Sequence, residues 1–549
     1  MVEKSKKLKD VRAWMKRKKI DALIVPHSDF FQSEYLEACN ERLAWLTGFT
    51  GSNGQAIVTA REAVMFTDSR YTIQAVRETK PLGFVVAETP TIRPSTWLTK
   101  HLKKGQLVAI DPDLFTVQQA GIWQQLVTQL GGKWVEVTEN PVDALWHDRP
   151  AQGRHPAEIH AMRYAGVAAS AKIKQVVAQM NAQASHLLIA NPGLVCWLLN
   201  IRGRDVAHVP VLQSMALVGR DGKVVLFTDT VKISPAMRKA LGTKISIQPL
   251  DKLAAIITKT AKVLQFDPSH CPLSLKSAFT KKRLKLVEAG DPCMVLRACK
   301  NAVEIKGAIL AHKKDAVAFK KFLAWFGKLD FTRQKVTELD IVMKLRDCRE
   351  ADPDFIDDSF STISGFGANG AIVHYKPSPD TNKRLIPGNL LLLDSGAQYR
   401  CGTTDITRVL AVGKPTKEMI DHYNTVYRGL TALSETRFPM GTTGAQLEAI
   451  ARRELWTHGL EYGHGTGHGV GSFMSVHEGP QGFTPHSQAP LLPGMILSVE
   501  PGVYHKGKFG IRLENLVLVT EDKRKGDMKP MLKFRTLTDV AFDKKLLRS

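Results

Sequence analysis

The sequence predicts a mixed α/β and α+β protein, two related N-terminal α/β domains followed by a third region in which apolar strands deliver carboxylates. An internal echo predicts the first part. Asp21-Ala22-Leu23-Ile24-Val25-Pro26, Leu43-Ala44-Trp45-Leu46 and Val64-Met65-Phe66-Thr67-Asp68 return as Ser185-His186-Leu187-Leu188-Ile189-Ala190, Val195-Cys196-Trp197-Leu198-Leu199 and Val225-Leu226-Phe227-Thr228-Asp229. Short apolar strands alternate there with helical stretches over 8–18 and 157–180, the pattern of sheets covered by helices. A long amphipathic helix over 298–326, with Ile305, Ile309, Ala316, Phe319 and Phe322 along its apolar stripe, predicts where the third region opens. Asn140-Pro141 and Arg149-Pro150 with Gly153 place one joint near residue 140, and Gly290-Asp291-Pro292 a second near 293. The expected domains are therefore 1–140, 141–293 and 294–549.

Within the last region, Leu390-Leu391-Leu392-Leu393 delivers Asp394, a turn follows through Arg400-Cys401-Gly402, and the chain returns through Thr403 to Leu410 past Asp405. A hairpin of this shape brings both carboxylates to one place. Glu500 and Glu514 sit on two more apolar segments, 496–502 and 511–515, where strand alternation would put Arg512 and Glu514 on one face. His468 lies in a glycine-rich loop between Asp405 and Glu500 in the sequence. Four carboxylates and one imidazole make a hard, oxygen-rich ligand field, suited to manganese, magnesium or a similar divalent ion. Two cations so held, roughly 3.5–4 Å apart, acidify a shared water and polarise a carbonyl. A lone acid would be a solvated surface charge, but several unpaired carboxylates buried together demand a neutralising cation.

Composition bounds the rest. At 549 residues and 44% hydrophobic content, the chain has ample material for several folded cores. The formal charge of +23 raises the question of an anionic partner. Apart from an opening run of Lys4, Lys6, Lys7, Lys9, Lys16, Arg17, Lys18 and Lys19 the basic residues are scattered, and none interleave with aromatics as in a single-strand binder. The charge reads as a solvated surface, with no nucleic-acid partner expected. The seven cysteines lack CxxC spacing and read as free thiols in a reducing compartment. A charged N-terminus without an apolar core argues against a secretory signal, and no run approaches the ~20 apolar residues of a bilayer span. No membrane partner is expected, and a cytoplasmic location is.

The segments Leu393-Asp394-Ser395-Gly396-Ala397-Gln398-Tyr399, Gly402-Thr403-Thr404-Asp405-Ile406-Thr407-Arg408, His464-Gly465-Thr466-Gly467-His468-Gly469-Val470-Gly471, Val476-His477-Glu478-Gly479-Pro480, Glu500-Pro501-Gly502-Val503-Tyr504 and Gly510-Ile511-Arg512-Leu513-Glu514-Asn515 closely resemble the catalytic domain of the Xaa-Pro aminopeptidase (aminopeptidase P) family. The likeness extends upstream through Gly370-Ala371-Ile372-Val373-His374-Tyr375 and, more loosely, to Gln32-Ser33-Glu34-Tyr35 and Gly48-Phe49-Thr50-Gly51-Ser52. It covers nearly the whole chain and implies the long, three-domain form, with two creatinase-like N-terminal domains and a C-terminal pita-bread metallopeptidase domain whose curved antiparallel sheet holds the metals.

The resemblance also implies roles. Asp394 would chelate one ion, Asp405 and Glu514 would bridge, and His468 with Glu500 would complete the other, manganese being the expected metal. A hydroxide activated by both ions would attack the carbonyl of the residue before proline, with Glu500 shuttling the proton. His374 and His477 would hydrogen-bond the scissile carbonyl or its tetrahedral intermediate, His464 would flank the proline subsite, and Tyr504 and Arg512 would orient substrate and ligands. The substrates would be peptides with proline in the second position. Long family members continue past the point where this sequence ends, through a helical tail that helps build the dimer; a homodimer is still expected.

Other readings of these residues are weaker. The glycines from Gly465 to Gly471 alternate, unlike a phosphate-cradling loop, and are expected to let the backbone approach ions and substrate closely. Gly465 stands where a zincin places its glutamate after His464, and neither Ser395 nor Ser472 sits in a nucleophile elbow. Xaa-Pro dipeptidase and methionine aminopeptidase use the same ligand types but usually lack two leading α/β domains. A non-enzymatic pita-bread protein that binds histones or nucleic acid would generally have lost the ligands retained here.

Overall fold

Residues 2–89 and 91–548 are described by the structure, a computed structural model, with side chains from residue 6 onward, so Lys4 of the opening basic run lies outside the described side chains. They divide into two compact units. One takes in residues up to Ile159 together with Ala168–Ala207 and Val211–Cys293; the other takes in His160–Val167, His208–Pro210 and the chain from Met294.

The first unit is a duplicated sheet. Strands β1 (Ala22–Pro26), β2 (Gln55–Thr59), β3 (Ala63–Asp68), β4 (Val85–Thr89), β5 (Leu107–Ile110) and β6 (Lys133–Glu136) lie in the order β4-β3-β2-β1-β5-β6. Strands β7 (His186–Ile189), β8 (Ser214–Gly219), β9 (Val224–Thr228), β10 (Ile245–Gln248), β11 (Val263–Phe266) and β12 (Lys285–Glu288) lie in the order β10-β9-β8-β7-β11-β12. In each sheet the first three strands pair antiparallel and the others parallel, so the two halves share one topology. The echoing segments occupy equivalent places: β1 and β7, the helices Arg42–Thr47 and Pro192–Leu199, and β3 and β9. Phe31 and Val117 from the first half pack with Leu188, Met215, Phe227 and Phe266 of the second, which joins the halves into one unit.

Two helices expected to be continuous are broken. The stretch 157–180 is a short strand, Glu158–Ile159, then helices Met162–Ala165 and Ala169–Gln179. Gly166 ends the first of these at φ +71°, and a Cβ there would collide with Asn301 Oδ1. The stretch 298–326 holds the end of a helix, Cys293–Ala298, and then α1 (Ala302–Phe326). Asn301 starts α1 by accepting from Val303 N (2.9 Å) and Glu304 N (3.1 Å), while Glu304 Oε2 accepts from Asn301 N at 3.0 Å. This reciprocal cap satisfies amides that a continuous helix would have bonded internally.

The second unit is built on β13 (Ile363–Phe366), β14 (Asn389–Ser395) and β15 (Ile406–Val412), which pair antiparallel, with Asp394 opposite Thr407. Further antiparallel strands follow: β16 (Gly467–His468), β17 (Gly482–Phe483), β18 (Ile496–Val499), β19 (Gly502–His505), β20 (Phe509–Arg512), β21 (Asn515–Glu521) and β22 (Met531–Thr536). The run Leu390–Leu393 is apolar throughout because both faces of β14 are covered. Leu391 and Leu393 pack with Phe319, Phe322 and Phe326 of α1 and with Ile341 and Leu345 of α2 (Glu338–Glu350). Leu390 and Leu392 pack with Tyr423, Val426 and Leu430 of α3 (Lys417–Ser434) and Leu447, Ala451 and Leu455 of α4 (Gly444–Trp456). Strand alternation then aims Asp394 to the α3–α4 side. Leu392→Ala should cost about 2–5 kcal/mol in chemical denaturation, because it leaves a hole between strand and helices that close packing cannot fill.

Candidate metal centre

The four acids do not sit mid-strand, as the sequence led one to expect. Asp394 is the penultimate residue of β14, Asp405 directly precedes β15, Glu500 directly follows β18, and Glu514 lies in the two-residue link between β20 and β21. Arg512 and Glu514 therefore share no continuous strand; they meet on Thr407 instead. Thr407 Oγ1 donates to Glu514 Oε2 at 2.8 Å and accepts from Arg512 Nε at 3.4 Å. At Asp405, Glu500 and Glu514 the backbone lies outside the strand ladders, so several chain segments can converge there.

Donor atoms of Asp405, His468 and Glu514 all lie within 4.8 Å of one another. His468 Nε2 is 3.5 Å from Asp405 Oδ2 and 3.4 Å from Glu500 Oε1. Its Nδ1 faces the Gly469 carbonyl at 3.0 Å, an arrangement that puts the proton on Nδ1 and turns the Nε2 lone pair toward the acids. Asp405 and Glu514 are only 4% and 1% exposed. Burial is the main force raising both carboxyls well above the ordinary range, and the neighbouring carboxylates, Asp394 and Glu500 among them, push the same way. Asp394 Oδ1, Asp405 Oδ1 and Glu514 Oε1 are buried with no hydrogen-bond partner among the described residues. Native proteins rarely leave such oxygens unpaired. A crowd of buried, partnerless carboxylate oxygens facing one imidazole fits divalent cations, which would supply the missing positive charge.

The predicted substrate-side residues form a chain of contacts leading away from the acids. Arg512 Nη2 donates to Asp394 Oδ2 at 2.6 Å, and its Nη1 to the Tyr504 hydroxyl at 2.8 Å. That hydroxyl meets His464 Nε2 at 2.8 Å, and burial pushes it up to about 12. The His477 ring stands edge-to-face on His468 with centroids 4.4 Å apart. His374 is half-buried in the turn after Val373, whose carbonyl accepts from Arg512 Nη1 at 3.2 Å. Tyr504→Phe removes the hydroxyl that ties Arg512 to His464. Two hydrogen bonds are lost, each worth about 0.5–1.5 kcal/mol, so kcat/KM should fall at least roughly tenfold in steady-state assays.

Three supporting residues escaped the sequence reading: Thr407, Arg408 and Ser498. The fully buried Arg408 donates to the Glu514 carbonyl at 2.6 Å and to the Val540 carbonyl at 2.6 Å, fixing the backbone that aims Glu514. Ser498 Oγ accepts from His468 N at 2.9 Å and donates to Glu500 Oε1 at 3.0 Å. Thr407 and Arg408 lie next to Asp405 in sequence, but only tertiary register shows their partners. The glycines of the His468 loop also allow close backbone packing: a Cβ on Gly467 would collide with Ser498 O, and one on Gly469 with Glu478 O.

Comparison with known proteins agrees with this architecture. Residues 308–521 match Metallopeptidase family M24, and residues 7–145 and 148–304 each match a Creatinase/Prolidase N-terminal domain. Fold and site thus define a metallopeptidase with two creatinase-type domains ahead of its pita-bread catalytic domain. A probable Xaa-Pro aminopeptidase P of Coccidioides posadasii is 35% identical over 98% of this chain and 85% of its own length. The crystal structure of X-prolyl aminopeptidase from Caenorhabditis elegans, described as a cytosolic enzyme with a di-nuclear active site, superposes with a TM-score of 0.93 at 29% identity, over 99% of this chain and 92% of that one. Xaa-Pro dipeptidase from Bacillus anthracis gives 0.55 at 25% identity, over 68% of this chain and 99% of that one. The chain belongs to the Xaa-Pro aminopeptidase P family.

Proposed function

We propose that the chain is a metal-dependent aminopeptidase that removes the N-terminal residue from peptides with proline in the second position. The observation that carries this is the convergence of Asp394, Asp405, His468, Glu500 and Glu514, with three of their buried oxygens lacking a hydrogen-bond partner among the described residues. Two divalent cations would be held there by Asp394, Asp405, His468, Glu500 and Glu514, and when bound would supply an acidified water and polarise the scissile carbonyl. Glu500, half-buried and steadied by Ser498, takes a proton from the attacking water and returns it to the leaving nitrogen. His477 and His374 donate to the carbonyl oxygen as negative charge grows on it. His464 flanks the proline ring, and Arg512 with Tyr504 keeps Asp394 and His464 in fixed relation.

The dipeptidase reading is disfavoured because the dipeptidase structure matches only 68% of this chain, against 99% for the aminopeptidase. Assay of Arg-Pro-Pro, Gly-Pro and a Met-Ala peptide separates the readings: release of arginine from Arg-Pro-Pro is expected, and cleavage of Gly-Pro alone would overturn the proposal. The same reading includes manganese as the metal, a division of the chain at 1–140, 141–293 and 294–549, a cytoplasmic location and a homodimer. Among the described residues no helix is long and apolar enough to cross a membrane. A monomeric mass by light scattering would contradict the dimer.

A further inference from the structure

A second constellation of metal-ligand side chains lies on α3 and the end of β19, and shares no residue with the acidic centre. Glu418 and His422 are one helical turn apart on α3, so both side chains project from one face. His505 closes β19 beside them, its Nε2 2.9 Å from His422 Nδ1, with the two rings stacked at 19° and centroids 4.7 Å apart. One donor atom from each of Glu418, His422 and His505 lies within 4.8 Å of the others. Phe509 packs on both imidazoles, at 5.0 Å from His505 and 6.3 Å from His422, which fixes the rings in this facing pose.

The bland account is a hydrogen-bonded histidine pair on a packed surface. The donor geometry says more. Two imidazole nitrogens and a carboxylate oxygen with an open fourth position are a zinc-type ligand set, and zinc–nitrogen distances of about 2.0–2.1 Å in a tetrahedron put the nitrogens roughly 3.3 Å apart. To admit an ion the nitrogens must part by roughly 0.4 Å and the rings turn so that both lone pairs point at the ion instead of at each other. Lys508 Nζ, 3.4 Å from Glu418 Oε1, is the competing cation; its side chain is 63% exposed and can turn into solvent.

We infer that Glu418, His422 and His505 form a third divalent-cation site, of zinc type, that fastens β19 to helix α3. Its consequence for the molecule follows from the neighbouring residue. Tyr504, adjacent to His505 on β19, joins His464 to Arg512. An ion on His505 therefore restrains the hairpin β19–β20 that carries both Tyr504 and Arg512. The site stands on its own side chains and does not depend on the peptidase reading.

The test is zinc content per chain, by mass spectrometry of full-length protein equilibrated with Zn²⁺ and desalted, alongside the visible absorption of Co²⁺-loaded samples. Wild-type protein should carry one equivalent more than His422→Ala or His505→Ala, and the Co²⁺ band from histidine-ligated tetrahedral cobalt should fall in both. Glu418 is exposed, so Glu418→Gln leaves the fold intact; because it removes one of only three protein ligands, it should weaken zinc retention by at least the roughly tenfold that losing an outer-shell partner costs, read in competition with a chromophoric chelator. If the histidine variants fail to fold, Glu418→Gln decides the matter. Zinc content, cobalt spectrum and chelator competition all equal to wild type would overturn the site. Asp405→Asn reports on the acidic centre separately, so the failure of one assignment is distinguishable from failure of the other.

Discussion

Asp405→Asn will lower kcat by at least about 10³-fold, because a metal-centred site supplies several kcal/mol of transition-state stabilisation and each 1.36 kcal/mol is a factor of ten. Metal analysis of the variant should show fewer than two ions retained at the acidic centre. The stability change should have the opposite sign. In the metal-free protein burial, reinforced by the charges of Asp394 and Glu500, holds the Asp405 carboxyl well above the ordinary range. A neutral amide of the same shape relieves that crowding, so the metal-free variant should resist urea as well as wild type or better at pH 8. A large loss of activity without loss of stability is the signature of a functional carboxylate; a loss of both together would mark Asp405 as a structural residue.

Chelation will take hydrolysis to background and will also give the protein a pH-dependent stability that the metal-loaded form lacks. Asp405 and Glu514 have folded-state carboxyl pKa values raised above those of the unfolded chain. Between the ordinary carboxylate range and those raised values, the folded metal-free protein holds protons that the unfolded chain has released. Stability then falls as pH rises through that window, by about 1.4 kcal/mol per pH unit for each proton retained, and levels off once both groups are ionised in either state. Bound cations keep the acids ionised and abolish the slope. Urea titrations at a series of pH values, in chelator and in Mn²⁺, read this directly. A metal-free protein whose stability is flat across the window would show that the acids are not crowded as described. Calorimetry in buffers of differing ionisation enthalpy should likewise detect protons released when Mn²⁺ binds.

Much of this was legible in the sequence for a simple reason: strands buried on both faces must be apolar throughout. Val64–Asp68 and Val225–Asp229 therefore read alike because they occupy the same place in duplicated sheets, and Leu390–Leu393 announced a strand clamped between helices. The four acidic donors were legible because carboxylates at the ends of such runs are costly to bury, and His468 because it stands in a glycine-rich loop between them in sequence. Periodicity reports which face a residue takes, not where a strand stops, so it extended β20 through Glu514 and carried two helices across Gly166 and Asn301. Those breaks depend on partners far along the chain: Asn301 abuts Gly166, and Thr407 bonds Glu514 across 107 residues. Arg408 illustrates the same gap. Beside Asp405 in sequence it looks like one more base on a strongly positive chain, yet it is 1% exposed and spends its donors on carbonyls of residues 514 and 540.

Anomalous diffraction from crystals grown with Mn²⁺, collected above and below the manganese edge, tests the account's core most directly. Two peaks roughly 3.5–4 Å apart, bracketed by Asp405 and Glu514 with Asp394 at one end and His468 and Glu500 at the other, are the predicted result. A single peak, or density that leaves the oxygens of Asp394, Asp405 and Glu514 without a cation at saturating metal, would contradict it.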